Sequence, residues 1–412
     1  MTDPPLFDPA LLDQADLTDP RLHAEHDLSA VWRRLRDEDP VYLHPASGSG
    51  RRFWVVTRYE DVAAVYGAPE LFTSERGNVL DTLLAGGDSA AGRMMAVTDG
   101  QRHSELRTLL NKPFSPRALG VVVDSARRAT RRLVADAVQA AGCDFAADVA
   151  ARIPLAAICD LLGVPEADRG LIYASSSTAL ASALGAPTAE GTWSARNDIL
   201  YYFSELASAR RAKPLDDVVS LLTGTGKLSP NEVILNCYSI LLGGNETTRY
   251  AMTGGLLALI RNPAQWDALR GGEVGLDGAV NEVLRWTTPT LHAGRTATRD
   301  LSLGGAVIEA GDVVTVWNAS ANADERQFDR PGRFDLARTP NRHLTFAHGP
   351  HFCIGAYLAR AEIAAVLEAL RATVGAVEQA GPAERVYSNF LSGLSTLPVT
   401  LTARSAARRA TA

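Results

Sequence analysis

The chain has 412 residues, of which 46% are hydrophobic and 21% are charged, and its formal net charge is −6. This composition is typical of a globular protein, and the negative net charge argues against a nucleic-acid-binding surface. The four cysteines are widely spaced and form no C-x-x-C pair, which predicts a reducing cytoplasm rather than a disulfide framework.

We expect no secretory leader in the N-terminal segment. Residues 1–20 are acidic and rich in proline, without a basic stretch ahead of an apolar one, which argues against a secretory signal peptide. Because no run of eighteen or more apolar residues occurs, we expect no membrane span. We expect residues 1–20 to form a loosely docked arm, residues 21–404 a single domain and residues 405–412 a C-terminal tail.

The elements that follow predict a mainly helical chain with small β-sheets. A helix is predicted over residues 23–38, a β-hairpin over 41–57 and a short helix over 59–67. Residues 75–97 hold several glycines and no sustained period, which predicts a mobile loop. Helical patterns then dominate residues 100–265. Further strands are predicted at residues 301–303, 306–308, 312–317 and 396–402.

The longest predicted helix begins with a capping box, Ser229-Pro230-Asn231-Glu232, and ends at about Arg261, before an Asn-Pro pair. Roughly 32 residues would span about 48 Å. Its middle reads LGGNETT, and each glycine weakens a helix by about 1 kcal/mol relative to alanine. We therefore expect a ligand groove at Gly243 and Gly244, formed by a kink or a π-bulge.

Glu246 and Thr247 place a titratable acid beside a hydroxyl at this groove. A hydroxyl can hold water against a bound ligand, and a carboxylate can pass protons inward from solvent. The pair therefore predicts a proton-delivery site. The alternative is a helix that packs through its glycines and leaves Glu246 on a solvated face.

A glycine-bounded cysteine loop precedes the last long helical segment. It reads FAHGPHFCIG from Phe346 to Gly355, and the helical run AYLARAEIAAVLEALRATV follows. The free N–H groups and the positive dipole end of a helix N-terminus would stabilise a thiolate at Cys353. Gly349 and Gly355 allow a tight turn and a close approach to a flat ligand, and Phe346 can cover the sulfur. The alternative is a buried structural cysteine.

This decapeptide resembles the haem-binding loop of the cytochrome P450 family, whose cysteine thiolate is the axial ligand of the iron. Ala347 stands where the family usually has a second glycine, and we expect only a slightly altered turn. Glu246-Thr247 resembles the family's G-x-D/E-T signature. The resemblance implies the mainly α cytochrome P450 fold with small sheets. It also implies a haem b between the long central helix, at Gly243, and the Cys353 loop.

Two further motifs resemble the family's ion network. Glu282 and Arg285, in NEVLRW, are three residues apart and share a helix face. The segment FDRPGRFD resembles the one that supplies a second arginine, which would be Arg333. The resemblance implies a buried carboxylate between two guanidinium groups, which would lock the scaffold around the cysteine loop. Without the resemblance, a pair of this spacing is usually a surface ion pair.

Haem carries two carboxylates that must be neutralised when they are buried. Family-like positions for this task are held by His103 and Arg107, one helical turn apart, and by Arg295 and His351. Arginine suits it because the planar guanidinium binds a carboxylate through two hydrogen bonds. Each of these residues alone would be consistent with an ordinary surface cation.

The resemblance also implies a substrate pocket. Its walls would come from residues 75–97, 170–195, 240–244, 290–293 and 391–394. The small residues of 174–192 predict a lid that opens for a bulky substrate. For His292 the alternative is a core histidine with satisfied hydrogen bonds. The candidate pocket residues are Ile240, Gly244, Leu291, His292 and Leu391.

The resemblance implies a monooxygenase that activates O2 to hydroxylate or epoxidise a small organic substrate, as a tailoring step in secondary metabolism. Because the sequence lacks a G-x-G-x-x-G fingerprint, electrons would come from an iron–sulfur ferredoxin and its NAD(P)H reductase. That ferredoxin would dock at Arg102, Lys112 and Arg360. We expect a monomer.

Two other classes remain open. A peroxygenase or oxidative coupling enzyme could use the same scaffold, although relatives that use peroxide typically lack the acid and alcohol that Glu246 and Thr247 supply. A haem sensor or carrier without turnover would have no use for that pair.

Overall fold

The computed structural model describes residues 4–46, 50–180 and 189–404. They form a mainly helical fold with small sheets, as predicted. None of the helices in these ranges combines the length and apolarity needed to cross a membrane. The α-helices are α1 (Pro20–Glu25), α2 (Ser29–Glu38), α3 (Tyr59–Gly67), α4 (Leu80–Leu84), α5 (Gly100–Asn111), α6 (Gly120–Gln139), α7 (Arg152–Leu162), α8 (Arg169–Leu180), α9 (Ala189–Ala212), α10 (Val218–Gly224), α11 (Pro230–Arg261), α12 (Pro263–Gly271), α13 (Leu276–Thr287), α14 (Asn318–Ala321) and α15 (Ala356–Thr373).

The strands within the described ranges form four small sheets. The largest has the order β1-β2-β8-β5-β3, and only its β2–β8 pair is parallel. A second sheet has the order β4-β12-β9, and β6–β7 and β10–β11 are separate pairs. The strands are β1 (Val41–His44), β2 (Phe53–Val56), β3 (Phe72–Thr73), β4 (Gly142–Asp144), β5 (His292–Ala297), β6 (Leu301–Leu303), β7 (Ala306–Ile308), β8 (Val313–Trp317), β9 (Val374–Gln379), β10 (Glu384–Arg385), β11 (Leu394–Thr396) and β12 (Pro398–Ala403).

Helix α11 runs through the centre of the fold and has the predicted bounds. Ser229 and Glu232 form the expected capping box at its N-terminus. The helix is buried on most sides because it packs against α7, α9, α13 and α15. It remains α-helical throughout, so the predicted π-bulge at its centre is wrong. A π-helical turn occurs instead at Ala146–Ala150, just before α7.

Several other expectations need correction. The N-terminal segment is packed rather than loosely docked, since Leu17 is fully buried and the Phe7 N–H donates to the Asp27 carbonyl. The helix predicted over residues 23–38 is two helices, α1 and α2. The loop predicted over residues 75–97 contains α4, and the Met95 N–H donates to Asn236 Oδ1 of α11 at 3.0 Å. Within the predicted lid, residues 181–188 lie outside the described residues, as do 405–412 of the predicted tail.

Candidate active site

Cys353 lies in a tight loop between a 3-10 turn, Gly349–His351, and the first turn of α15. The Cys353 N–H donates to the Phe346 carbonyl at 2.9 Å, which closes the loop. Gly349 has φ +70°, and a Cβ atom there would lie 2.7 Å from the Tyr66 carbonyl oxygen. Only glycine fits that position without strain. A Cβ atom on Gly355 would lie 3.8 Å from the sulfur, so the backbone passes close beneath the thiol.

The Cys353 side chain is exposed to solvent. The surrounding protein nonetheless shifts the pKa of its thiol. Desolvation raises the pKa of the thiol, whereas the backbone N–H groups of Gly355 and Ala356 and the charges of Arg107 and Arg360 act to lower it. Burial is the largest of these effects, so the pKa of the Cys353 thiol lies above its usual value. A bound metal cation would complete the deprotonation, because it stabilises the thiolate directly.

The alanine that replaces a glycine in the loop keeps the backbone conformation of glycine. Ala347 has φ +59°, in the left-handed region that disfavours residues with a side chain. The turn is thus tight, and the expected slight alteration takes the form of local backbone strain. The neighbouring Phe346 is buried, and the Arg360 guanidinium lies 4.5 Å from its ring centroid.

The four predicted carboxylate-binding residues are two histidines and two arginines, and the two histidines lie against each other at the cysteine loop. The rings of His103 and His351 are 4.3 Å apart, and His351 Nε2 donates to Asp99 Oδ1 at 2.7 Å. Burial raises the pKa of Asp99, but hydrogen bonds from His351, Thr73 and the Ser74 N–H bring it below its usual range. The Asp99 carboxylate therefore holds His351 in place.

His103 is the least satisfied member of this group. It is buried, and its Nε2 atom has no hydrogen-bond partner among the described residues. Burial lowers the pKa of His103 to about 4, and His351 and Arg107 add to the effect. Because a buried polar atom normally forms a hydrogen bond, the free Nε2 atom of the neutral His103 ring is suited to bind a polar atom of a ligand.

Arg295 is a buried cation without a carboxylate of the described residues within ion-pair distance. Its side chain donates to the Gly294 carbonyl at 2.7 Å and lies 5.4 Å from the Tyr66 ring centroid. Burial lowers the pKa of Arg295, as it does that of the half-buried Arg107. Since an unpaired buried charge is costly, these guanidinium groups fit an anionic ligand such as the haem carboxylates.

The two glycines at the centre of α11 have different surroundings. A Cβ atom on Gly243 would meet no described residue within 4 Å, so this glycine leaves open space where the haem was predicted. A Cβ atom on Gly244 would lie 2.8 Å from Ile158 Cδ1 of α7. Gly244 thus serves helix packing, and its place in the pocket wall stays a prediction. The Thr247 hydroxyl donates to the Gly243 carbonyl at 2.9 Å.

Glu246 is buried, which contradicts the alternative that placed it on a solvated face. Asn245 Nδ2 donates to its Oε1 atom at 3.2 Å, and Arg249 Nη1 lies 3.4 Å from its Oε2 atom. The next residue, Tyr250, also hydrogen-bonds to the carboxylate, and burial raises the pKa of the phenol. Sequence reasoning missed Arg249, although its i, i+3 spacing from Glu246 was a signal for an ion pair.

The ion network forms around a fully buried carboxylate, but with a different second arginine. Arg285 donates to both oxygens of Glu282, at 2.7 and 2.8 Å. Arg338 Nε donates to the same carboxylate at 3.1 Å. The predicted Arg333 is wrong, because its side chain is exposed and only its backbone carbonyl takes part, accepting from Arg338 at 2.8 Å.

The predicted pocket residues fall into two groups. Ile240 and Leu391 are buried, Leu291 is half-buried, and Leu391 pairs with Thr290 in an isolated β-bridge. His292 is fully buried, with its ring centroid 4.8 Å from that of Trp317. Burial lowers the pKa of His292 to about 3. His292 therefore lies in the core, but neither ring nitrogen has a good hydrogen bond among the described residues. The alternative of a satisfied core histidine is thus not met, and its contact with substrate stays a prediction.

The predicted docking patch is also altered. Arg102 forms ion pairs with Glu232 and Glu105. Arg360 is half-buried over the ring of Phe346. Of the three predicted docking residues, Lys112 is therefore the one whose side chain is exposed. Exposed arginines that sequence reasoning missed lie on α6, which packs along α15. Their signal was the repeated basic pair in RRATRR. They are Arg127, Arg128, Arg131 and Arg132.

Comparisons with known proteins agree with this arrangement. A family model described as Cytochrome P450 matches residues 276–370. The chain is 47% identical to "Cytochrome P450 NovI" of Streptomyces niveus, over 98% of this chain and 100% of that protein. It is 34% identical to the "Methyl-branched lipid omega-hydroxylase" of Mycobacterium tuberculosis, over 90% of each chain.

A solved structure shares the fold. The crystal structure of P450 OxyD, described as involved in the biosynthesis of vancomycin-type antibiotics, matches with a TM-score of 0.86 and 35% identity. The match covers 94% of this chain and all of OxyD.

Proposed function

Because the chain belongs to the cytochrome P450 family of haem-thiolate monooxygenases, we propose that Cys353 is the axial ligand of a haem b and that the enzyme hydroxylates or epoxidises a small organic molecule. The observation that carries the proposal is a pair of buried polar side chains, Arg295 and His103, together with an accessible cysteine. Arg295 is a cation without a carboxylate of the described residues in ion-pair distance, and His103 is a neutral imidazole whose Nε2 atom has no hydrogen-bond partner among them.

The chain's own residues would hold the haem from both sides. Cys353 would bind the iron. Arg107 and Arg295 would neutralise the carboxylates, and His103 and His351 would hydrogen-bond to them. The open space beside Gly243 would admit the flat ring on the side of α11. When bound, haem supplies the activation of O2 and the transfer of an oxygen atom to a carbon of the substrate.

The protein's contribution to the reaction is the control of protons and water. The Thr247 hydroxyl donates to the Gly243 carbonyl, which leaves its oxygen lone pairs to accept a hydrogen bond from water. The Glu246 carboxylate can hold a proton on Oε1 or Oε2 and pass it through such a water. The apolar side chains of Ile240 and Leu391 would keep bulk water from the reacting carbon.

The electron donor would be an iron–sulfur ferredoxin reduced by an NAD(P)H reductase. Phe352 and Tyr357, which flank Cys353 in the sequence, are large apolar residues with exposed side chains. The exposed arginines of α6 add positive charge to a helix that packs along α15, and Lys112 is exposed at the end of α5. Such a surface would attract an acidic carrier, and the attraction would weaken with added salt.

The substrate class is a product of secondary metabolism. OxyD, which shares the fold at 35% identity, is described as taking part in antibiotic biosynthesis, and this supports a similar tailoring step here. A peroxygenase or coupling enzyme is less well supported, since Glu246 and Thr247 are both present at the centre of α11. A haem sensor would have no use for the pair.

The test is spectroscopic and then chemical. The reduced protein treated with carbon monoxide should show the red-shifted Soret band of a thiolate complex, and Cys353→Ser should abolish it. Cys143→Ser is the matched control, because Cys143 is a free cysteine on β4 and should leave the band unchanged. An unchanged spectrum in Cys353→Ser would refute the proposed ligand.

The substrate and the class of reaction need a second experiment. Macrolides, terpenoids and carrier-bound amino acids would be screened for a substrate-induced spin shift. The compounds that bind would then be turned over with ferredoxin, reductase and NADH. Product that contains one oxygen atom from 18O2 supports the monooxygenase. Turnover driven by peroxide alone, and equally fast in Thr247→Ala, would support the peroxygenase instead.

A further inference from the structure

Arg249 connects the Glu246 carboxylate, at the centre of α11, to strand β11. Its Nη1 atom lies 3.4 Å from Glu246 Oε2, and its Nη2 atom donates to the Ser395 carbonyl at 3.1 Å. The guanidinium is buried, and Nε has no hydrogen-bond partner among the described residues. A buried guanidinium depends strongly on the few acceptors it has, so these two contacts fix its position.

Ser395 belongs to a segment that continues directly from a predicted wall of the pocket. Residues 391–396 begin at Leu391, which is buried and pairs with Thr290, and end in β11. The Ser392 N–H donates to the Pro289 carbonyl at 2.8 Å, so the start of the segment is held by backbone contacts. A substrate that pressed on Leu391 would therefore act on a segment whose other end contacts Arg249.

The same segment lies directly on the residue after Arg249. A Cβ atom on Gly393 would lie 2.2 Å from Tyr250 Cγ, so only glycine can occupy this position without displacement. Tyr250 in turn hydrogen-bonds to Glu246. The segment is thus connected to the carboxylate through two neighbouring side chains of α11. At 3.4 Å the Arg249–Glu246 contact is near the limit of a hydrogen bond, where a small shift changes its strength considerably.

We propose that Arg249 is a positioning residue that couples the pocket segment 391–396 to the Glu246 carboxylate. When a substrate displaces the segment, the guanidinium moves with the Ser395 carbonyl and loosens its hold on Glu246. The carboxylate is then able to leave the ion pair and exchange a proton with water near Thr247. In the absence of substrate the ion pair holds the carboxylate still. This proposal rests on the proposed role of Glu246 in proton delivery.

The physical link can be measured without turnover. In a double-mutant cycle, Glu246→Gln, Arg249→Met and the double variant would be unfolded in urea. We expect a coupling of about tenfold in the unfolding constant, as is typical of buried contacting residues. Asp267 and Arg270 are the matched control, because Arg270 bonds both Asp267, three residues earlier, and the Gly375 carbonyl of a strand. That exposed pair should show less than about a fivefold coupling.

The functional link needs a readout that a purely structural role would not change. In the reconstituted enzyme, Arg249→Met should lower the fraction of NADH electrons recovered in product several-fold and change the solvent deuterium isotope effect. Arg249→Lys keeps the positive charge and should restore at least half of that fraction. Gly393→Ala displaces the segment by forcing a methyl group against Tyr250, while Arg249 and Glu246 themselves stay unchanged. It should change the isotope effect in the same direction. Gly381→Ala is its control, since a Cβ atom there meets Pro398 only at 3.4 Å.

The outcomes separate this inference from the proposed function. A coupling no larger than that of the control pair would overturn the physical link, whether or not the protein binds haem. An isotope effect unchanged in both Arg249→Met and Gly393→Ala would overturn the functional link. Should Arg249→Met fail to fold, Arg249→Lys and Gly393→Ala still decide the question. Loss of the proposed function itself would appear separately, as a wild-type protein without the thiolate spectrum.

Discussion

Gly244 of α11 faces Ile158 of α7 so closely that a methyl group on its α-carbon would lie 2.8 Å from Ile158 Cδ1. A methyl group on Gly243, one residue earlier, would have no atom of the described residues within 4 Å. The two glycines therefore have different surroundings in one helix. Gly243 borders open space, where we propose that the haem binds, and Gly244 lets two helices approach.

This difference predicts opposite effects of two neighbouring substitutions. Gly243→Ala should stabilise the fold by up to about 1 kcal/mol, because alanine favours a helix, while weakening the binding of haem or substrate. Gly244→Ala should destabilise it by roughly 1 kcal/mol, since overpacking exceeds the gain in helix propensity. Urea unfolding measures both changes. Adding Ile158→Val removes the conflicting methyl and should rescue Gly244→Ala. Equal effects of the two glycine substitutions would contradict the assignment.

The ion network predicts that the two candidate arginines differ sharply in importance. Arg338→Met leaves the buried Glu282 carboxylate with one guanidinium partner and should cost about 3 kcal/mol of unfolding free energy. Arg333→Met removes an exposed side chain and should change stability by less than about 0.5 kcal/mol. Chemical denaturation of the two variants makes the comparison. The assignment fails if Arg333→Met is the more damaging change.

Features that depend on residues close together in the chain could be predicted correctly from the sequence. The capping box fixed the start of α11, and aromatic and β-branched residues on both sides of a glycine- and serine-rich turn indicated the β1–β2 hairpin, which pairs Val41 with Val56. Long-range contacts were not readable in this way. Strand β5 reads HAGRTA, without a clear apolar alternation, and it forms by pairing with β8 more than fifteen residues later.

The arginine that binds Glu282 was predicted wrongly because this contact is also a long-range one. Arg333 and Arg338 both follow the FDRPG segment, and the path of an irregular chain decides which side chain reaches Glu282. Likewise, the sequence could show that Gly243 and Gly244 weaken a helix but could not show which of them faces Ile158. The residues of the cysteine loop were easier, because their spacing and glycines define one local turn.

The strained turn before Cys353 predicts a stabilising substitution. Ala347 has φ +59°, which costs a residue with a side chain about 1–2 kcal/mol, whereas glycine adopts it freely. Part of that gain is lost because glycine makes the unfolded chain more flexible. We expect Ala347→Gly to raise the unfolding free energy by up to about 1 kcal/mol. Ala380→Gly, at an exposed position without positive φ, should lower it by a similar amount. Equal losses in both variants would show that the turn is unstrained.

A buried carboxyl on α15 predicts how stability depends on pH. Glu362 is 2% exposed, and its Oε1 atom has no hydrogen-bond partner among the described residues. Burial raises its pKa from 4.5 to about 8. Between these values the folded protein keeps a proton that the unfolded chain has released. The contribution of this group to stability is therefore fully present below the lower pKa and is lost as the pH rises through the higher one.

Glu362→Gln should remove this dependence, because the amide has a similar shape and does not titrate. Relative to the variant, the wild-type protein should lose about 3 kcal/mol of unfolding free energy between pH 5 and pH 8. Urea unfolding at pH 5, 6.5 and 8 measures the difference. Glu368→Gln, at a less buried position of the same helix, is the control and should follow the wild-type curve. A constant difference between wild type and Glu362→Gln across this range would mean that Glu362 is ionised in the folded protein.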